Sequence, residues 1–154
     1  MKKKPESKPP IVNRRARFDY ELGETISAGI ILSGPEVRGT RLGHLRLTGS
    51  YATLRGGELW LNNLSISIPD TARSVDGEKE LSTPRKLLVT KKELTHIEAA
   101  KKQGMTIVPT RLFNQGRFVK VELAIAKGKR NYDKRETIKR RQQDRDTQRA
   151  IKNI

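Results

Sequence analysis

The sequence contains no cysteine, only two histidines and few aromatic residues. Without cysteine, neither disulfides nor thiolate metal sites can form. His44 and His96 have no carboxylate at ligand spacing. No apolar run approaches the roughly 20 residues that span a bilayer, and the proline-rich stretch 5–10 excludes a signal peptide after the basic start. We therefore expect a cytoplasmic protein without metal, cofactor or membrane partner.

The chain is also short of apolar and acidic residues. Apolar residues make up 34% of the 154, and 33 basic residues face 17 acidic ones, for a net charge of +16. Residues 1–17 carry +6 and residues 127–154 carry +7, whereas the middle carries only +3. A nearly neutral globule with a cationic extension at each end predicts a polyanionic partner, and nucleic acid is the first candidate. Residues 1–12 read as a mobile basic arm.

Hydrophobic periodicity predicts a mainly β domain over residues 13–130. Alternation of apolar and acidic residues from Phe18 to Leu22 indicates a strand. A short helix is expected from Glu36 to about Leu42, with Pro35 at its first position. Two strands, 51–55 and 58–68, meet at a Gly-Gly turn, which is a hairpin signal. Residues 69–85 read as a loop.

The second half of this domain carries a helix signal and another hairpin. Thr90 and Glu93 form a capping box before a helix that Gly104 should end. Strands at 106–113 and 117–126 follow, with Pro109 marking an edge or a bulge. Five or six hairpin-connected strands with two short helices favour an oligonucleotide-binding (OB-like) barrel, and we expect a monomer. Tyr20, Tyr51, Trp60 and Phe113 are expected in its core.

The last segment, 131–154, is a basic tail. It has no apolar residue between Ile138 and Ala150 but is rich in helix formers, so we expect it to be disordered when free and helical on an anionic partner. Phosphate contacts are expected from the basic residues of the tail and of the segment that leads into it: Lys127, Lys129, Arg130, Lys134, Arg135, Lys139, Arg140, Arg141, Arg145 and Arg149. Tyr132 is a candidate for stacking on a base. A solubilising charge run is the alternative.

The residues outside the tail leave more than one interpretation open. Arg14, Arg15 and Arg17 could be ordinary surface or RNA contacts, and the same holds for Arg85 and Lys86. Arg117 and Lys120 lie where a strand would present phosphate contacts. Glu36 is better explained by the helix dipole than by a ligand, and Gly128 by a flexible exit from the last strand. No nucleophile elbow or Walker-type loop is present, so catalysis is not expected.

Several motifs in register resemble the SsrA-binding protein (small protein B) family. They are residues 13–17 (NRRAR), 34–38 (GPEVR), 83–88 (TPRKLL), 126–129 (AKGK) and 133–139 (DKRETIK). The resemblance implies an OB-like barrel that binds the transfer-RNA-like domain of transfer-messenger RNA. It also implies delivery with elongation factor Tu to stalled ribosomes, where the tail occupies the decoding site and the empty message channel of the small subunit.

The resemblance assigns two groups of residues. Those expected to face transfer-messenger RNA are Asn13, Arg14, Arg15, Arg17, Glu36, Arg38, Lys120, Lys127 and Lys129, to which position and charge add Arg85, Lys86, Arg117 and Gly128. Those expected to face the small subunit are Tyr132, Asp133, Lys134, Arg135, Ile138, Lys139, Arg140, Arg141, Arg145, Arg149, Ile151 and Lys152. The alternatives are a generic ribosomal or ribosome-assembly protein and, from another class, a small RNA-processing enzyme.

Overall fold

The computed structural model describes residues 9–67 and 83–153. Its strands are β1 (Ile11–Val12), β2 (Tyr20–Ile30), β3 (Leu45–Arg46), β4 (Tyr51–Arg55), β5 (Glu58–Asn62), β6 (Ser65–Ile66), β7 (Arg85–Leu88), β8 (Thr106–Gln115) and β9 (Phe118–Gly128). Its helices are α1 (Arg14–Asp19), α2 (Gly34–Arg41), α3 (Lys91–Lys102) and α4 (Asn131–Lys152).

Six strands close into a barrel, as the sequence predicted. Their order is β8-β4-β5-β7-β2-β9, and β9 pairs again with β8, while β1 adds to the outside of β8. The pairings are antiparallel. Closure leaves the six strands without a free edge, so the barrel is a rigid platform for side chains on its outside.

The core comes from the inward side of each alternating strand. In β9, Val119, Val121, Leu123 and Ile125 are buried, and Ile97 of α3 is fully buried against the barrel. Lys120 and Glu122 lie on the other side of β9 and stay partly exposed. The predicted alternation of β9 is therefore confirmed.

Local turn and capping signals are confirmed as well. Gly56 and Gly57 both have positive φ and join β4 to β5. The backbone amide of Thr90 donates to Glu93 Oε2 at 2.8 Å, and the amide of Glu93 donates to Thr90 Oγ1 at 3.3 Å. Gly104, with φ of 81°, follows the last turn of α3. The register shift in β8 falls between Pro109 and Arg111, so this proline marks a bulge.

Four predictions of secondary structure need correction. The strand expected from Phe18 begins at Tyr20, because Asn13 caps a helix over the preceding residues. Helix α2 begins at Gly34, two residues before Glu36. The single strand expected over 58–68 is interrupted at Asn63, whose φ is 58°, and 68 lies outside the described residues. Both strands of the last hairpin end two residues later than predicted, at Gln115 and Gly128, and the second begins at Phe118.

Two further expectations concern position. Tyr51, Trp60 and Phe113 are not core residues, because the neighbouring Ala52, Leu59 and Leu112 take the inward positions of their strands. Tyr51 is 38% exposed, and Trp60 and Phe113 are partly exposed. Of the loop expected at 69–85, residues 69–82 lie outside the described residues, and Arg85 already belongs to β7. The tail is a 22-residue helix. Its disorder in the absence of RNA stays a prediction.

Candidate RNA interface

Asn13 fixes the helix that presents the first group of arginines. Its side chain is buried, with 5% exposure, and its amide donates to Pro109 O at 2.9 Å and to Leu47 O at 3.2 Å. Its Oδ1 accepts the amide of Ala16 at 3.2 Å and so caps α1. All the polar atoms of this side chain therefore bond within the protein, and Asn13 joins α1 to strand β8 and to the segment that follows β3.

The arginines of α1 point the other way. Arg14, Arg15 and Arg17 are exposed, while Ala16 between them is 3% exposed and packs on the barrel. Arg15 Nε donates to Asp19 Oδ2 at 3.1 Å. The helix thus carries guanidinium groups on its solvent side, in the geometry that suits phosphate oxygens.

The end of the barrel brings a second basic segment to the same helix. Lys129 donates from its backbone amide to Asp19 O at 3.0 Å and from Nζ to Arg17 O at 3.1 Å. Gly128 is the last residue of β9 and pairs with Tyr20, and Lys127 before it is exposed. Residues 13–17 and 127–129, which are distant in sequence, therefore form one cationic surface.

Glu36 and Arg85 form a buried ion pair. Arg85 Nε and Nη2 lie 2.9 Å and 2.6 Å from Glu36 Oε1, and Arg85 and Glu36 are 4% and 7% exposed. Glu36 Oε2 accepts the backbone amide of Ser33 at 2.8 Å, which caps α2. Arg85 Nη1 also donates to Leu64 O and to Thr83 O. The helix-start role that the residues alone favoured for Glu36 is confirmed. The RNA contact that the resemblance implied for Glu36 stays a prediction, and the ion pair with Arg85 was not foreseen.

The remaining candidates on the body lie at its surface. Arg38 and Arg117 are at least partly exposed. Lys120 is partly exposed, and Lys86 pairs with Glu58. Phe118, next to Arg117 at the tip of the β8–β9 hairpin, is 72% exposed. Sequence reasoning missed this aromatic residue. A large apolar side chain directly after the turn at Gly116 and Arg117 could have indicated an exposed aromatic residue at the hairpin tip.

The tail helix α4 contributes nothing to the core. None of its residues is buried, and its three largest apolar side chains, Tyr132, Ile138 and Ile151, are 73%, 54% and 65% exposed. Asp133 Oδ2 accepts the amide of Arg130 at 3.4 Å at the helix start. The other named tail residues (Arg135, Lys139, Arg140, Arg141, Arg145, Arg149 and Lys152) are exposed. This helix is roughly 30 Å long, and its side chains are available to a partner outside the barrel.

Comparison with known proteins shows the family of this chain. The family model described as SmpB protein matches residues 10–153. The chain belongs to this family. The SsrA-binding protein of Ligilactobacillus salivarius (strain UCC118) is 42% identical over 153 residues, covering 99% of this chain and 97% of that protein. The SsrA-binding protein of Streptococcus thermophilus (strain LMD-9) is 43% identical over 143 residues, 92% of each chain.

The fold agrees with a solved SmpB-family structure. A chain of the structure described as "tmRNA-SmpB: a journey to the center of the bacterial ribosome" has a TM-score of 0.64 and 39% sequence identity to this one. The match covers 84% of this chain and 94% of that chain. The resemblance seen in the sequence motifs is therefore confirmed, and the fold is that of the family. Over residues 9–67 and 83–153, no helix is long and apolar enough to cross a membrane.

Proposed function

We propose that this protein is an RNA-binding adaptor that holds the transfer-RNA-like domain of transfer-messenger RNA and delivers it to stalled ribosomes. The observation that carries the proposal is the match to SsrA-binding proteins over 99% of the chain. The cationic surface formed by residues 13–17 and 127–129 gives the body a place to bind RNA phosphates. Delivery involves elongation factor Tu through the RNA complex, in the cytoplasm, and the protein acts as a monomer.

The body residues divide by exposure into two roles. Direct contact with transfer-messenger RNA is assigned to the residues at the surface: Arg14, Arg15, Arg17, Arg38, Lys86, Arg117, Lys120, Lys127, Gly128 and Lys129. Asn13, Glu36 and Arg85 are buried and bonded to protein atoms, so in this proposal they position α1, α2 and β7. Their effect on RNA binding is indirect.

The tail is assigned to the small ribosomal subunit. In this proposal Tyr132 stacks on a base of the decoding site, and the exposed basic residues of α4 lie along the empty message channel. The absence of buried residues in α4 supports this role, because the helix can leave the barrel without opening the core.

Two sets of substitutions test whether the body binds transfer-messenger RNA and the tail acts on the small ribosomal subunit. Alanine at Lys134, Arg135, Lys139 and Arg140 should leave transfer-messenger RNA binding within about threefold of the unmodified protein but abolish tagging of peptides on stalled ribosomes. Charge reversal at Lys127 and Lys129 should weaken RNA binding itself. It should also reduce the slope of log affinity against log salt by about one for each lysine that binds a phosphate. Identical behaviour of the two sets would contradict the proposal.

Two further measurements separate this function from the alternatives. A pull-down from cells should recover transfer-messenger RNA, whereas recovery of ribosomal RNA alone would favour a generic ribosomal protein. We also propose that the protein is not an enzyme. Incubation with labelled RNA and divalent metal should leave the RNA intact, and multiple turnovers would contradict the proposal.

A further inference from the structure

The tail helix is docked on α1 by specific contacts. Lys134 Nζ lies 3.4 Å from Asp19 Oδ1, and the guanidinium carbon of Arg141 lies 5.7 Å from the centre of the Phe18 ring. Lys134 and Arg141 are seven residues apart, which places them on one face of a helix, two turns from each other. Asp19 and Phe18 are adjacent in α1, so two points on one face of α4 meet two neighbouring residues of the body.

Phe18 is shared by two arginines. Arg15 of α1 lies 5.5 Å from the centre of the same ring and bonds to the same Asp19. Around this ring, Val12, Arg14, Arg15, Phe18, Thr48 and Arg141 line an open groove of about 570 Å³. The lining therefore contains three guanidinium groups and no carboxylate. A guanidinium group that stacks on an aromatic ring keeps the N–H groups around its own edge free to donate to oxygen atoms.

Charge opposes this docking in the free protein. By formal charge, α1 carries +2 and α4 carries +4. The attractive contacts are one ion pair whose partners are 32% and 26% exposed, and one exposed cation–π contact. Both contacts are open to solvent, so each is weak. An anion between the arginines would turn the repulsion into attraction.

We propose that this groove is a composite phosphate-binding site, formed by Arg14 and Arg15 of the body and Arg141 of the tail around Phe18, whose ligand is an RNA backbone phosphate. A phosphate bound there bridges body and tail, so RNA binding on α1 and docking of α4 stabilise each other. By linkage the effect is reciprocal. The inference rests on the proposed function because its ligand is the RNA held by the body.

The absence of cysteine allows a clean test in the full-length protein. Spin labels at Gln115→Cys on the hairpin and Gln148→Cys on α4, both exposed positions, report the distance between body and tail. We compare the labelled protein with further variants Arg141→Gln and Phe18→Ala. The matched control is Arg140→Gln, which removes the same charge from the adjacent residue. Each is measured alone, with a short RNA duplex, with inorganic phosphate and with polyglutamate.

We expect the RNA duplex to narrow the distance distribution in the unmodified sequence and in Arg140→Gln. Arg141→Gln and Phe18→Ala should lose this narrowing and bind the duplex about fivefold more weakly or worse, the lower end of typical coupling between sites. Arg141 is exposed, so this variant tests the site even if Phe18→Ala disturbs α1.

Three results would overturn the inference. The first is narrowing that persists in Arg141→Gln while the duplex still binds, which would leave the proposed function standing. The second is equal narrowing by polyglutamate or by inorganic phosphate, which would show that the RNA backbone is not the ligand recognised. The third is failure of the unmodified protein to bind any RNA, which would remove the proposed function together with the inference.

Discussion

The ion pair between Glu36 and Arg85 gives the sharpest prediction of stability. Arg85→Ala removes two hydrogen bonds to Glu36 and those to Leu64 O and Thr83 O. It leaves the carboxylate of Glu36, 7% exposed, without its cation. Breaking one side of a buried pair costs about 3–5 kcal/mol. For a domain of this size, that lowers Tm by on the order of 10 °C.

Chemical denaturation measures this cost against two controls. Lys86→Ala, at the next residue, breaks a pair with Glu58 whose side chains are 35% and 44% exposed, so it should cost less than about 1 kcal/mol. The double variant Glu36→Gln with Arg85→Met should be less destabilised than the sum of its single variants, because neither substitution then leaves an opposite charge buried alone.

RNA binding by the same variants distinguishes a residue that positions the interface from a residue that contacts a phosphate. Below its melting temperature, Arg85→Ala should bind RNA with the salt dependence of the unmodified protein, because a buried arginine makes no phosphate contact. Removal of an arginine that does bind a phosphate would reduce the slope of log affinity against log salt by about one. A reduced slope, together with destabilisation below about 1 kcal/mol for Arg85→Ala, would refute the reasoning.

Three other predictions follow from single features. Asn13→Ala should cost about 2–3 kcal/mol in denaturation, since it removes a helix cap and two buried hydrogen bonds, to Pro109 O and Leu47 O. A cost below about 0.5 kcal/mol would contradict this. Gly39→Ala should destabilise by about 1–3 kcal/mol because its Cβ would lie 2.7 Å from Ser67 O, whereas Gly34→Ala in the same helix meets nothing and should be near neutral. Equal stability of these two glycine variants in denaturation would refute the packing argument. A peptide of residues 127–154 should show little helical circular dichroism alone and gain helicity with RNA; strong helicity without RNA would contradict the predicted disorder.

Features set by neighbouring residues could be predicted from the sequence. The capping box of Thr90 and Glu93 and the Gly-Gly hairpin depend on bonds between residues at most a few positions apart. The buried face of β9 follows from the alternation of apolar and charged side chains within the strand itself. The motif at 133–139, together with the others, was enough to identify the family.

Features set by distant partners could not be predicted. Asn13 bonds to carbonyls 34 and 96 residues away, and the sequence does not show these partners. Its cap of α1 is local, but a helix of six residues is too short for a hydrophobic period to reveal it. Glu36 and Arg85 are 49 residues apart, so each was seen as an isolated charge near a helix or loop end. Glu36 was named as a candidate for RNA contact from the family resemblance and Arg85 from its position and charge. Neither source carries information on burial.

The central claim is that a closed barrel holds one RNA while the tail acts on another. Its most direct test is a chain that ends at Lys129, which keeps β1 to β9 and removes α4. The claim predicts that this chain still binds transfer-messenger RNA, with an affinity only about five- to tenfold below that of the full-length protein because Arg141 is missing. It should nevertheless support no tagging on stalled ribosomes in a lysate that lacks the native protein. Undiminished tagging by the shortened chain would contradict it.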